Sequence, residues 1–189
     1  MKKEKISKIN KGLCLLLGIV LITATIAFTP NVSANSDPWS IKLNFVDSAG
    51  GKKDYIIFGE NSSALDGKDS NDVPKPGLPP KPYLYAWFDA GLSGPYAKLW
   101  EDHRHYDNTN GNAKIWNFNV TCNTSSSSKT DTIINITWDK DDINDTEYSH
   151  HIELWNETQK VADMKSIHEY SFNADYAQSN FDTVYQFQI

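Results

Sequence analysis

The sequence predicts an all-β fold, an antiparallel β-sandwich of the immunoglobulin-like or jelly-roll-like kind, preceded by an N-terminal signal segment. Three observations carry this expectation. Past residue 34 apolar and polar residues alternate at period 2, and no helical stripe of useful length is present. Short stretches of this kind recur at near-regular spacing, separated by turn-rich segments at 48–51, 107–112, 123–129 and 139–145. Hydrophobic residues make up 39% of the chain and aromatic residues 12%, too much for a disordered protein.

The first element stands outside the fold. Lys2, Lys3, Lys5, Lys8 and Lys11 precede an apolar run over 12–28, and Val32-Ser33-Ala34 supplies small residues at a cleavage position. Residues 1–34 therefore read as a secretory signal peptide cut after Ala34. The alternative is an uncleaved anchor, because an apolar run of about 17 residues sits at the lower limit for spanning a bilayer. Either way the remainder is extracellular or on the cell surface, meeting a membrane only through that segment if it is retained. Residues 35–189 make a single domain.

The strands follow in order. The stretch 40–47 turns Ile41, Leu43 and Phe45 inward, and 54–59 comes after the turn Ser48-Ala49-Gly50-Gly51. Residues 72–82 hold five of the eight prolines, so they form a stiff extended strap that cannot pair centrally in a sheet. On 83–88, Leu84, Ala86 and Phe88 face opposite to Tyr83, Tyr85 and Trp87. Strands at 99–106, 114–121, 132–138 and 148–155 come next, with inward triplets Trp116, Phe118, Val120; Ile134, Ile136, Trp138; and His150, Ile152, Leu154. Short strands at 161–164 and 169–173 precede 183–189, which turns Tyr185, Phe187 and Ile189 inward.

Charge and cysteine content exclude whole classes of function. Loss of residues 1–34 leaves 13 of the 18 basic and 23 of the 24 acidic residues, a net charge of −10 against −6 for the whole chain. That surface repels phosphate backbones and has no basic stripe, so nucleic acid is not a partner. Only Cys122 remains after cleavage, which rules out an internal disulfide or a thiolate metal cage. Set in a strand that runs into a Ser-rich turn, it reads as structural rather than nucleophilic.

Several side-chain groups are candidates for chemistry. Beyond Asn31 in the signal, Asn61, Asn119, Asn123, Asn135, Asn144 and Asn156 each begin Asn-x-Ser/Thr, an excess over chance that suggests N-glycosylation; Asn119 and Asn135 are expected on polar strand faces. Asp66, Asp69 and Asp72 set three carboxylates in one turn-rich stretch, dense enough in hard oxygen donors for a weak calcium loop, although a solvated acidic loop leading into the proline strap is the plainer explanation. No other cofactor is implied. His103 and His105 share a strand face with Glu101, and His150, His151 and His168 add imidazoles of the kind that bind zinc or copper; partly buried structural histidines are the plainer explanation. Asp102 and Arg104, on the opposite face, suit a structural ion pair. Trp155 points outward beside His151 and Glu153, and with Trp87 and Tyr85 it offers flat rings for a sugar-stacking platform; packing against a second sheet or edge is the plainer explanation.

Taken together, Phe58-Gly59, Asp66-Gly67-Lys68-Asp69, Asp72-Val73-Pro74-Lys75-Pro76, residues 80–88 and 100–104, Lys114-Ile115-Trp116-Asn117-Phe118, Ile136-Thr137-Trp138-Asp139, Asp163-Met164 and Tyr170-Ser171-Phe172 resemble a recurrent extracellular module. It is the uncharacterised β-sandwich unit of secreted and cell-surface proteins of archaea, especially methanogens, and of bacteria. The resemblance implies architecture and location, with no chemistry attached. The expected function is therefore a non-catalytic interaction or structural module of the cell envelope, its partner an envelope protein or glycan. A carbohydrate-binding module is the alternative, and a small secreted hydrolase the third reading.

Overall fold

The structure is a computed structural model that describes residues 38–49, 51–105, 113–123, 131–144, 152–174 and 183–189. The signal segment, His150, His151 and the expected strand start at 148 lie outside these residues. The fold is all-β. Eleven strands are formed among the described residues: β1 (Trp39–Asp47), β2 (Lys53–Asn61), β3 (Val73–Pro74), β4 (Tyr83–Phe88), β5 (Leu99–His105), β6 (Asn117–Asn123), β7 (Thr132–Thr137), β8 (Glu153–Asn156), β9 (Gln159–Asp163), β10 (Glu169–Ala174) and β11 (Val184–Gln188). A short helix α1 (Lys140–Asn144) follows β7, with Asp141 and Asp142 at its electropositive start.

The strands form one sheet in the order β10-β7-β1-β2-β5-β4-β6-β11-β8-β9, with β3 added against β5, and the sheet is nearly closed into a barrel. One expectation is corrected here. The sheet is mixed, because β2 and β5 run parallel, pairing Ile57 with Glu101 and Gly59 with His103. The chain after β2 crosses through the strap, β4 and a 3-10 turn before it returns, and strand periodicity carries no information about such a crossover. The strap touches the sheet only off its main strand order, where Val73 and Pro74 pair with Glu101 and Leu99 of β5, in keeping with prolines that cannot pair centrally.

Alternation placed the core correctly. Ile41, Leu43, Phe45, Ile134 and Ile136 are fully buried, and Trp116, Phe118, Val120, Trp138, Leu154 and Phe187 join them. Tyr185, expected inside, is half-buried at the edge. Aromatic edges lock the interior: Phe45 meets Phe118 at 5.9 Å, and Trp39 meets Phe58 at 5.8 Å and Trp116 at 6.0 Å between ring centroids. Across the seam, Phe172 of β10 packs on Phe187 and Tyr185 of β11, at 5.1 and 5.0 Å, which covers the apolar side of the last gap between strands.

Candidate binding face

Strand register decides which side chains share a surface. Directly opposed residues in an antiparallel pair project from the same side of the sheet. Trp87 opposes Asn119, Asn119 opposes Gln186, Asn117 opposes Gln188, and Gln188 opposes Trp155. The outer face of β4, β6, β11 and β8 therefore carries a band of carboxamides with an indole at each side.

Trp155 and Trp87 differ in access. Trp155 is half-buried, and its Nε1 donates to Glu153 Oε2 at 3.1 Å while Lys160 donates to Glu153 Oε1 at 2.6 Å. It lines an apolar cleft of about 630 Å³ together with Trp39, Trp116, Ile115, Ile152 and Ile189. A polar groove of about 780 Å³ adjoins it and holds Asn117, Asn119, Gln186, Asp66, Asp89 and Arg104; Ile115, Glu157, Thr158 and Gln188 line both. Each cavity lies within the size range of small-ligand sites. Glu153 and Glu157 both border the cleft, but both oxygens of Glu153 are already engaged by Trp155 and Lys160.

Trp87 and Tyr85 are covered, in line with the packing explanation, and only Trp155 of the three rings remains at an open cleft. Every residue of β4 is buried. Lys98 Nζ sits 4.0 Å from the Trp87 ring centroid, and Tyr85 donates its hydroxyl to Pro76 O at 2.6 Å. The strap is held down by one cation. Lys75 Nζ donates to Asp54 Oδ1 at 2.7 Å and to Tyr55 O at 3.0 Å, with the rings of Trp100 and Tyr85 at 4.9 and 5.4 Å.

The acidic loop is occupied by its own contacts. Asp66 accepts from Lys114 Nζ at 2.9 and 3.1 Å, and that ammonium, helped by the His105 amide, holds its carboxyl below the usual range. Asp69 accepts from the amides of Leu65 and Asn71, and Asp72 Oδ2 accepts from the Asp69 amide at 3.0 Å. The three carboxylates are thus turned to Lys114 and to the loop's main chain, and no metal-ligating group of three is assembled among the described residues. The histidines do similar work. His103 Nδ1 lies 3.2 Å from Asn71 O and His105 Nδ1 lies 3.1 Å from Ala64 O, so both tie β5 to the same loop, while His168 is exposed.

Asp72 supplies a test of this loop. The residue is 6% exposed and its Oδ1 is buried without a partner among the described residues. Burial raises its pKa, with the Asp102 and Asp69 carboxylates adding to it, against hydrogen bonds from the Asp69 and His103 amides. A carboxyl whose folded pKa is raised lowers stability as pH climbs from its unfolded to its folded value. We expect Asp72→Asn to raise the melting temperature at pH 7 and to lose that advantage in acid, below the ordinary carboxyl pKa. A lower melting temperature at pH 7 would show that the charge is compensated.

The remaining candidates divide. Asp102 and Arg104 form the expected pair, with Nη2–Oδ2 at 3.1 Å, and the guanidinium lies 5.1 Å from the centre of the Trp116 ring. Cys122 is half-buried, and burial with the nearby Asp47 charge pushes its thiol up to about 11, the opposite of an activated nucleophile. Among the sequons, Asn119 is a correction: it does project from the non-core face, but it is 8% exposed between Trp87 and Gln186 on its neighbours, so that face is not open there. Asn61, Asn123, Asn135 and Asn156 are half-buried at strand ends or on β7, and Asn135 accepts from Ser171 Oγ at 2.7 Å. Asn144 closes α1.

Sequence reasoning missed Asn117, Gln186, Gln188 and the lysines Lys75 and Lys98. Their polar positions on β6 and β11 were visible, but nothing in the sequence says which strands are neighbours. No protein-family model matches the chain, and no curated protein or solved structure does either.

Proposed function

We propose that the protein is an exported, non-catalytic binding module of the cell envelope, and that its binding surface is the outer face of β6, β11 and β8. The reading that best fits the N-terminal sequence is a cleaved signal, with glycans on the more accessible sequons and the barrel flattened in the manner of a sandwich. The resemblance to the extracellular module of archaea and bacteria supports the same location.

The observation that carries the proposal is the pair of adjoining cavities, one apolar and one lined with carboxamides, that meet at Gln188 and Ile115. Around them three pairs of charged side chains are bound to each other: Asp66 with Lys114, Asp102 with Arg104, and Glu153 with Lys160. Such pairs fix the walls of a site. A binding surface needs that rigidity, whereas a hydrolase needs carboxylates held for proton transfer. Calcium at Asp66, Asp69 and Asp72 is not needed for this role.

The test is co-sedimentation of the purified protein with isolated envelopes of the producing organism. Saturable binding that is lost in Gln188→Ala together with Ile115→Asp is the expected result. Ile115 is 50% exposed, so neither change empties the core. Saturable binding that both changes leave intact would move the surface elsewhere, and no sedimentation would end the envelope reading.

A further inference from the structure

The groove's own chemistry narrows the ligand. We propose that it binds a neutral carbohydrate chain, one sugar ring stacked on Trp155 and the hydroxyls of the adjoining ring read by Asn117, Asn119, Gln186 and Gln188. This deepens, and rests on, the reading of the protein as a binding module.

Asn119 and Gln186 set the row. Asn119 is 8% exposed and lines the polar groove, and the exposed Gln186 opposes it in register, so the two carboxamides present donors and acceptors to the groove side by side. In the neighbouring row Gln188 Nε2 donates to Asn117 Oδ1 at 2.8 Å, which orders both amides and leaves each with hydrogen-bonding capacity to spare.

Main-chain pairing argues against a peptide strand. β11 is flanked by β6 and β8, and β6 by β4 and β11, so no free ladder is offered at the groove. A ligand there is read by side chains alone. Carboxamides present a donor and an acceptor each, the same pairing that a sugar hydroxyl presents. Charge excludes anions: Asp66, Asp89 and Glu157 line the groove, and the cations near it, Arg104 and Lys114, are already bound to Asp102 and Asp66. The indole is set in advance, since Glu153 holds Trp155 Nε1 and is itself held by Lys160.

The experiment uses the full chain from a host that adds no N-glycans, so that Asn119 stays unmodified. It is applied to an array of neutral hexose and N-acetylhexosamine oligosaccharides beside sialylated and sulfated ones, and the best neutral hit is titrated by calorimetry. Binding to a neutral oligosaccharide, weakened about tenfold or more in Trp155→Ala and in Asn119→Ala and unchanged in Leu78→Ser on the strap, is the expected result. The Gln188→Ala variant, altered at an exposed position, guards against loss through misfolding and should also weaken binding. A preference for anionic glycans, binding that survives the Trp155 and Gln188 changes, or no glycan binding would overturn the proposal. Wild-type envelope sedimentation that persists without glycan binding overturns this inference alone and leaves the envelope module standing. A change of oligomeric state in Trp155→Ala, without glycan binding, would assign the face to a second copy of the chain and overturn it too.

Discussion

Replacing Asp54 with alanine is expected to cost about 3–5 kcal/mol at pH 7, among the largest losses any single substitution here can produce. The carboxylate is a hub. Its Oδ1 accepts from Lys75 Nζ at 2.7 Å and from the Tyr55 amide at 2.8 Å, and its Oδ2 accepts from the Ala86 amide at 2.8 Å. The Lys75 side chain is 4% exposed, so removing Asp54 leaves an ammonium among the rings of Tyr55, Tyr85 and Trp100 with no counter-charge. Burial already lowers the Lys75 pKa, against the opposing pull of Asp54. A lysine with a depressed folded pKa binds fewer protons folded than unfolded, so stability rises with pH from its folded to its unfolded value. The Asp54→Ala deficit should therefore shrink on the alkaline side, as Lys75 sheds its proton. Adding Lys75→Met should recover much of the loss at pH 7, because it removes the stranded charge while keeping the volume. Urea unfolding of the wild type, the single variant and the double variant measures all three. A double variant no better than Asp54→Ala would place the cost in the freed amides of Tyr55 and Ala86 rather than in the charge.

The same contact explains where sequence reading stopped. Ten of the eleven strands are legible because burial of one face imposes period 2, as in Ile41-Leu43-Phe45 and Ile134-Ile136-Trp138. On 83–88 the run Tyr-Leu-Tyr-Ala-Trp-Phe is apolar at every position, the sign of a strand buried on both faces, and alternation alone does not say what packs on its second face. What covers it is the strap through Lys75 and Pro76, with Lys98 from beside β5, and lysine hydropathy gives no hint of burial under aromatic rings. The parallel meeting of β2 with β5 is invisible for another reason: pairing partners separated by some forty residues leave no local pattern. The binding face depends on that same missing information. Asn119 and Gln186 are each ordinary polar positions, and only the β6–β11 register makes them opposite.

The second large effect separates core tryptophans from the one at the cleft. Trp138→Ala should cost about 3–5 kcal/mol, the range for emptying a buried aromatic site. Its ring is 4% exposed, and Nε1 donates to Met164 O at 2.9 Å and Ile167 O at 3.0 Å, pinning the turn between β9 and β10. The substitution therefore removes packing and strands two carbonyls together. Trp116→Ala belongs in the same range: its ring packs on Trp39 and Phe58, and Nε1 donates to Asp102 O at 3.2 Å. Trp155→Ala should cost much less, because the ring is half-buried at the edge of an open cleft and its one hydrogen bond goes to Glu153, which keeps Lys160 as a partner. Thermal melts of the three variants give the ranking directly. The facing of β8 follows from simple alternation, which buries Leu154 and leaves Trp155 opposite Gln188 on the outer face. A Trp155 variant that melts lowest of the three would mean that β8 is shifted by one residue, since a one-residue slip exchanges the two faces of a strand.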